Sequence, residues 1–247
     1  MICVVLAAGY ATRLYPITKN FPKPLLDVNE KTVIDWLLED VDGIDEIKEY
    51  VIISNHKFYE HFEKWSKNNK LTKKIRVIDD GSIDNSTRLG AVKDIAFAVD
   101  KLKLDDDLMV LAGDNVLEFS LKHFYDFYKE KNATSVMRYW VEDKSTLSKY
   151  GIATVDENSK ILNFKEKPQN PDSNWAVPPF YIYKREDVPM INKAINNGCE
   201  TDAPGSFIEW LCTQTTVYAY SMPGKRFDIG NVQSYEQVKK DFKGIVI

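Results

Sequence analysis

The chain has 247 residues and a formal net charge of -4, with 44% hydrophobic, 28% charged and 12% aromatic residues. That balance suits a globular chain with a substantial core and argues against a general nucleic-acid surface; no apolar run approaches the roughly eighteen residues a membrane helix needs. The three cysteines, Cys3, Cys199 and Cys212, are far apart and accompanied by only three histidines. They offer no metal-ligand spacing, so reduced thiols in a cytoplasmic protein are expected.

The opening "MICVVLAAG" lacks a basic start and reads as a first strand rather than a leader. Apolar, β-branched runs recur at 2–8, 49–55, 74–79 and 107–115, and each is expected to be a buried strand. Between them, helical spacing of apolar residues predicts helices over 31–44, 56–69, 90–102 and 121–132. This alternation implies a mainly parallel sheet covered by helices on both faces. The second half changes character, with strands expected at 135–143, 152–168, 175–184 and 216–222 and a hairpin turn at "DENSK". Helices are expected at 186–197, 205–213 and 232–244. With no repeat, linker or low-complexity tract, the chain reads as one α/β domain whose later half elaborates the sheet.

Three stretches carry chemistry. In "LAAGYATRLYPITKNFPKPLL" (6–26), small residues stand where the first strand should end, which is where open α/β sheets bind ligands. Ala7, Ala8 and Gly9 would let backbone N–H groups approach a phosphate or base, with Gly9 free to adopt a costly backbone conformation. Arg13 and Lys23 would supply positive charge to a polyphosphate, and Pro22 and Pro24 restrict the backbone around Lys23 as if to aim it. The plainer reading is a tight turn followed by a solvated lysine. In "LMVLAGDN" (108–115), Asp114 is either a Mg²⁺ ligand or a helix cap; Asp228 in "RFDIGN" (226–231) is a second carboxylate able to share the same metal if the strand ends meet. "NFKEKPQNPDSNWAV" (163–177) carries Glu166 and Lys167, which by themselves suit a charged strand edge equally well.

Together these stretches resemble the sugar-1-phosphate nucleotidylyltransferase family, the nucleoside-diphosphate-sugar pyrophosphorylases. Residues 6–26 match its motif LAAGxGTRLxPxTxxxPKPLL, with Ala11 in place of the usual second glycine. The resemblance continues in order through "GDN" (113–115), "YGIA" (150–153), "EKPQNPDSNWAV" (166–177) and "FDIGN" (227–231), and the EKP stretch looks most like glucose-1-phosphate thymidylyltransferases. It implies a Rossmann-like α/β fold of nucleotidyltransferase type, a mixed, mainly parallel sheet with an added β-rich sugar-binding portion. Residues 1–132 would mainly bind nucleotide, and 133–247 mainly the sugar phosphate.

By the same resemblance, a nucleoside triphosphate and a sugar 1-phosphate would be the partners, Mg²⁺ the cofactor, and pyrophosphate a product. Leu6, Ala7, Ala8, Gly9, Asp80 and Gly90 would hold the nucleoside, and Arg13 and Lys23 the triphosphate. Asp114 and Asp228 would coordinate Mg²⁺, while Asn115, Tyr150, Gly151, Glu166, Lys167 and Val177 would line the acceptor side. Arg13, Lys23, Asp114 and Lys167 are the expected catalytic set. No nucleic acid or membrane partner is implied, and homo-oligomerisation stays open.

The departures fall at 79–95, where relatives recognise the base, and at Pro178-Pro179, where thymidylyltransferases have a glycine-containing pair lining the sugar pocket. They keep open a cytidylyltransferase acting on phosphocholine or another small phosphate or phosphonate. A catalytically silent nucleotide-sugar sensor is a further alternative, against which stand Arg13, Lys23, Asp114, Lys167 and Asp228, all present.

Overall fold

The computed structural model describes residues 1–246. Its first half contains β1 (Ile2–Leu6), β2 (Asp27–Val28), β3 (Lys31–Thr32), α1 (Val33–Val41), β4 (Glu49–Ser54), α2 (Tyr59–Asn68), β5 (Lys74–Asp79), α3 (Ala91–Leu102), β6 (Leu108–Ala112), β7 (Asn115–Leu117) and α4 (Lys122–Lys131). There follow β8 (Ser135–Trp140), β9 (Gly151–Val155), β10 (Ile161–Glu166), β11 (Trp175–Val177), β12 (Phe180–Tyr183), α5 (Met190–Asn196), α6 (Gly205–Leu211), β13 (Tyr218–Ser221), β14 (Arg226–Asp228) and α7 (Val232–Asp241). These elements form two compact units. The first comprises Met1–Arg88, Leu111–His123 and the chain from Pro223 onward; the second comprises Leu89–Val110 and Phe124–Met222.

In the first unit β1, β4 and β5 run parallel, with Val4 opposite Val51 and Val51 opposite Arg76. All six residues of β4 are buried, the pattern of a strand covered on both faces. Helix α1 begins two residues after the expected start because Lys31 and Thr32 pair with β2. Thr32 then caps the helix. Its hydroxyl accepts from the Asp35 N–H and the Asp35 carboxylate accepts from the Thr32 N–H, both at 3.2 Å. The other Asp35 oxygen accepts from Trp65 Nε1 at 2.8 Å, tying α2 to α1.

The expected strand over 107–115 ends at Ala112. Gly113 turns the chain there: its N–H donates to the Leu6 carbonyl at 3.1 Å, and a Cβ on it would lie 3.2 Å from Pro24. Residues 115–117 form instead a separate short strand, antiparallel to β14, with Asn115 opposite Asp228. Beneath both lies an apolar cluster of Leu14, Leu26, Val28, Val33, Val116, Ile229, Tyr235, Val238 and Phe242. Four of its members are sequence neighbours of, or within three residues of, Arg13, Lys23, Asp114 and Asp228, so hydrophobic burial holds the backbone beneath each charge.

In the second unit β9 and β10 form the expected hairpin, closed by the Asp156 N–H to Lys160 carbonyl bond at 2.9 Å. The strand expected at 175–184 is two strands, because Pro178 and Pro179 have no N–H to donate to a ladder. Both pair antiparallel with β8, β11 at Tyr139–Trp140 and β12 at Ser135–Val136, and β13 pairs with β8 in parallel. The helix expected from 186 begins at Met190, just after Pro189.

Because Asp35 serves both the α1 cap and the tie to Trp65, Asp35→Ala should lower the unfolding free energy by about 2 kcal/mol. Denaturant unfolding followed by tryptophan fluorescence would measure the loss; an unchanged midpoint would mean that the cap and tie contribute nothing.

Candidate active site

At the end of β1, the Ala7 N–H donates to the Ile53 carbonyl at 3.0 Å, and Asn55 Nδ2 donates to the Ala8 carbonyl at 2.9 Å. These bonds hold the strand end flush against β4. Ala7 and Ala8 are buried, Leu6 is partly buried and Gly9 is exposed, with nothing within 4 Å of the place a Cβ would occupy. Asp80 is buried beside this end, its Oδ1 accepting from both the N–H and the hydroxyl of Ser82 at 2.7 Å. Tyr10, which the sequence reading passes over, donates its hydroxyl to the Ser82 carbonyl at 2.8 Å.

The costly backbone conformation expected at Gly9 belongs to Ala11 instead, at φ 46° and ψ 42°. This is the position where the motif usually has glycine. The Ala11 carbonyl accepts from Leu14 N–H at 2.9 Å and from the buried Thr18 hydroxyl at 2.8 Å, which holds the turn despite its side-chain strain. Arg13 follows in a short 3₁₀ turn and is exposed.

Lys23 is not a surface lysine; it is 8% exposed. Pro22 enters in an extended conformation, Lys23–Leu25 make one 3₁₀ turn with Pro24 inside it, and the Leu26 N–H closes onto the Lys23 carbonyl at 3.0 Å. The ammonium reaches Asp114 Oδ2 at 2.7 Å and stands 4.0 Å from Asp228 Oδ1. Burial of this charge is offset by charge-assisted pairing, which a solvated lysine would not require. Both carboxylates keep exposed faces, with side chains 40% and 52% accessible. Desolvation by the surrounding protein and then the charge of Asp114 push the Asp228 carboxyl above its ordinary value, against the pull of Lys23, Arg226 and Arg13. Two carboxylates that repel one another and face solvent suit a hard divalent cation that takes its remaining ligands from water and phosphate. Among the described residues no three His, Cys, Asp or Glu side chains form a closed metal cage.

Asn115, expected on the acceptor side, is 1% exposed; its Nδ2 donates to Asp114 Oδ1 at 2.5 Å and its Oδ1 accepts from Arg226 Nη1. Arg226 opens the RFDIGN stretch but lies outside the FDIGN part that carries the resemblance, and its sequence gives no signal beyond its position two residues before Asp228.

The other expected residues lie in the second unit. Glu166 ends β10 with its carboxylate lodged between two glycines: a Cβ on Gly151 would come within 2.8 Å of Oε2, and one on Gly205 within 2.0 Å. Burial pushes the Glu166 carboxyl up to about 7, with nearby Lys167 pulling it down and Glu209 pushing it up. Lys167 Nζ stands 4.0 Å from Glu166 Oε1, and Lys167 itself takes a left-handed backbone at φ 48°, its N–H donating to the Tyr150 carbonyl at 3.1 Å. Val177 is buried opposite Gly151 in the β11–β9 ladder. Gly205 and Glu209, both on α6, complete this cluster unforeseen; Glu209 accepts from the Glu166 N–H at 2.9 Å. Gly90 opens α3 at φ 91°, where a Cβ would strike the Thr201 carbonyl oxygen at 2.5 Å.

A family model described as nucleotidyl transferase matches residues 2–244. The chain is 28% identical to the UTP–glucose-1-phosphate uridylyltransferase of Synechocystis sp., over 96% of this chain and 62% of that protein. It is 27% identical to the glucose-1-phosphate adenylyltransferase of Acetivibrio thermocellus, over 98% of this chain and 59% of that protein. The chain thus spans about six-tenths of the length of these curated relatives. The structure of a UDP-glucose pyrophosphorylase complexed with UDP-glucose superposes with a TM-score of 0.80 at 21% identity, covering 97% of each chain. That likeness establishes the fold as the nucleotidyltransferase α/β type.

Two outcomes follow from this geometry. Ala11→Gly should stabilise the chain by about 0.5–1 kcal/mol, the relief of a left-handed alanine outweighing the greater entropy glycine loses on folding; a lowered melting temperature would contradict it. A Glu166 carboxyl raised from 4.5 to about 7 retains a proton in the folded chain that the unfolded chain releases, so its contribution to stability declines as pH rises between those values. Glu166→Gln should therefore gain on the wild type by roughly 2–3 kcal/mol between pH 4 and pH 8, read from urea melts at both pH values.

Proposed function

We propose that this chain, which belongs to the nucleotidyl transferase family, transfers a nucleotidyl group from a nucleoside triphosphate to a sugar 1-phosphate, giving a nucleoside-diphosphate sugar and pyrophosphate. The observation that carries this reading is the buried Lys23 ammonium, 2.7 Å from Asp114 and 4.0 Å from Asp228 on strand ends beside the AAG turn.

The reaction brings two polyanions together, so neutralisation and alignment are the main tasks. A phosphate oxygen of the acceptor attacks the α-phosphorus in line with the departing pyrophosphate. Leu6 to Gly9, with Asp80, hold the nucleoside; Arg13 grips the departing pyrophosphate, and Lys23, held by its prolines, reaches the reacting phosphate. Asp114 and Asp228 would hold Mg²⁺, whose charge, when bound, neutralises triphosphate oxygens. Glu166, whose only charged partner among the described residues is Lys167 at 4.0 Å, accepts hydrogen bonds from sugar hydroxyls. Tyr150, Gly151 and Val177 shape that surface, and Lys167 neutralises the acceptor phosphate. The acceptor is already an anionic nucleophile near neutral pH, so the chemistry needs neither a general base nor a covalent intermediate. The product would feed polysaccharide or glycoconjugate synthesis in the cytoplasm.

A second reading is cytidylyl transfer to phosphocholine or another small phosphate or phosphonate. It is favoured by a cavity of about 570 Å³ in the second unit lined by Glu166, Glu200, Asp202 and Glu209 against Lys167. A surplus of carboxylates suits an acceptor bearing a cationic group.

A matrix of the common nucleoside triphosphates against several sugar 1-phosphates and phosphocholine, read by pyrophosphate release in Mg²⁺, should give turnover with a hexose 1-phosphate. Release with CTP and phosphocholine alone would install the second reading. Asp114→Asn should lower kcat at least about 100-fold on the productive pair; unchanged turnover would remove Asp114 from the chemistry.

A further inference from the structure

We propose that Arg226 is a positioning residue for Asp114, acting through the amide of Asn115. The proposal rests on the reading that Asp114 holds a divalent cation.

The three side chains form a directed chain: Arg226 Nη1 donates to Asn115 Oδ1, and Asn115 Nδ2 donates to Asp114 Oδ1 at 2.5 Å. Its direction follows from chemistry. A guanidinium can only donate and a carboxylate can only accept, so an amide caught between them has one orientation, oxygen toward Arg226 and NH₂ toward Asp114. The backbone register enforces the meeting. In the β14–β7 ladder Arg226 lies opposite Leu117 and Asp228 opposite Asn115, so Arg226, Asp228, Asn115 and Leu117 share one face. Asn115 is 1% exposed, so solvent does not readily replace a lost Arg226, and the amide then loses the contact that fixes its plane and its distance from the carboxylate.

The consequence for Asp114 is a division of its two oxygens. Oδ1 is pinned by Asn115, and Oδ2 points to Lys23 at 2.7 Å. The carboxylate plane is fixed before any cation arrives, and Asp228 is carried into place by the same short strand that carries Arg226. Partners of this kind, which orient a ligand without touching the ion, typically affect metal affinity 10- to 100-fold.

Positioning and simple electrostatics predict opposite signs. Arg226 is one of the positive charges near Asp228, so if it acted only as a charge, removing it would tighten cation binding. If it orients Asp114, removing it weakens binding although a repelling charge has gone.

The test is titration of the whole chain with Mn²⁺ alone, free ion read by electron paramagnetic resonance, with no nucleotide or acceptor present. Arg226→Met should weaken Mn²⁺ binding about tenfold, and Arg226→Lys, which keeps a cationic donor group without the planar fork, should bind between that variant and wild type. Asn115→Ala should lose a similar factor, and the Asn115→Ala, Arg226→Met double variant should be no weaker than the weaker single variant, because both break one chain. Should Arg226→Met fail to fold, Arg226→Gln carries the same expectation. Binding as tight as wild type or tighter without Arg226, or losses that multiply in the double variant, would overturn the proposal. Asp114→Asn separates the two levels: if it binds Mn²⁺ like wild type, the reading of Asp114 as a ligand fails; if it loses binding while the Arg226 variants do not, only the positioning role fails.

Discussion

A lysine ammonium that is 8% exposed is tolerable only if charges of opposite sign are brought to it and held there, since an unpaired buried charge costs several kcal/mol. Much of the first unit's architecture bears on that constraint. The prolines at 22 and 24 fix the turn that presents Lys23, and Gly113 lets β6 end against Pro24. The pairing of β7 with β14 sets Asp228 opposite Asn115 and so beside Asp114, residues separated by more than a hundred positions in the chain. A single apolar cluster running from Leu14 to Phe242 keeps these turns from moving independently. The stabilising force is hydrophobic, and the electrostatics is what it positions.

The second unit meets a related problem with the opposite sign. Glu166 is held between the Cα atoms of Gly151 and Gly205, where any side chain on either would collide with its carboxylate. Burial and Glu209 make the charge unfavourable, and Lys167 at 4.0 Å is too distant for a good hydrogen bond. Glu166 is thus kept short of full satisfaction by its own chain, and Lys23, paired with Asp114 at 2.7 Å, has in Asp228 at 4.0 Å only a distant second partner, so each leaves room for an external one. In the proposed reaction those partners are the phosphates of one substrate and the hydroxyls of the other.

The alternation of apolar strands and amphipathic helices in the first half was legible because burial imposes periodicity directly on the sequence. Lys23 was legible for a different reason: two prolines around a lysine are a backbone restriction without use at a free surface. The β7–β14 pair was not legible, since two three-residue strands carry no measurable period and their pairing depends on tertiary packing. Arg226 was hidden with it, and so were the bonds that tie Asn115 to Arg226 and Asp114; a hydrogen-bond chain that crosses such a ladder leaves no local spacing to read. Gly9 and Ala11 exchanged roles because the motif invites the strained conformation to be assigned to the glycine present, whereas the turn requires it two residues later. Glu209 and Gly205 were missed because their relation to Glu166 exists only once α6 packs on β10.

Within the stretch that departs from the family's pattern, residues 79–95, the loop ahead of α3 is organised by its own polar groups. Asp84 Oδ1 accepts from the N–H and hydroxyl of Ser86 and from the Thr87 N–H, and the Thr87 hydroxyl accepts from the N–H groups of Ile83 and Asp84. Ser82 is anchored through its carbonyl by Tyr10 and by the His56 N–H, and Asp80 is engaged with Ser82. A loop with its turns already capped needs no ligand to set its shape. Base selection through such a loop would therefore work mainly by fit to a preformed edge, where a wrong base leaves groups unpaired, rather than by ordering on contact. On the proposed reading, affinity for any triphosphate would rest on Arg13 and Lys23, with the two aspartates acting only through the cation they would hold, and discrimination would rest on a segment that can diverge without disturbing them.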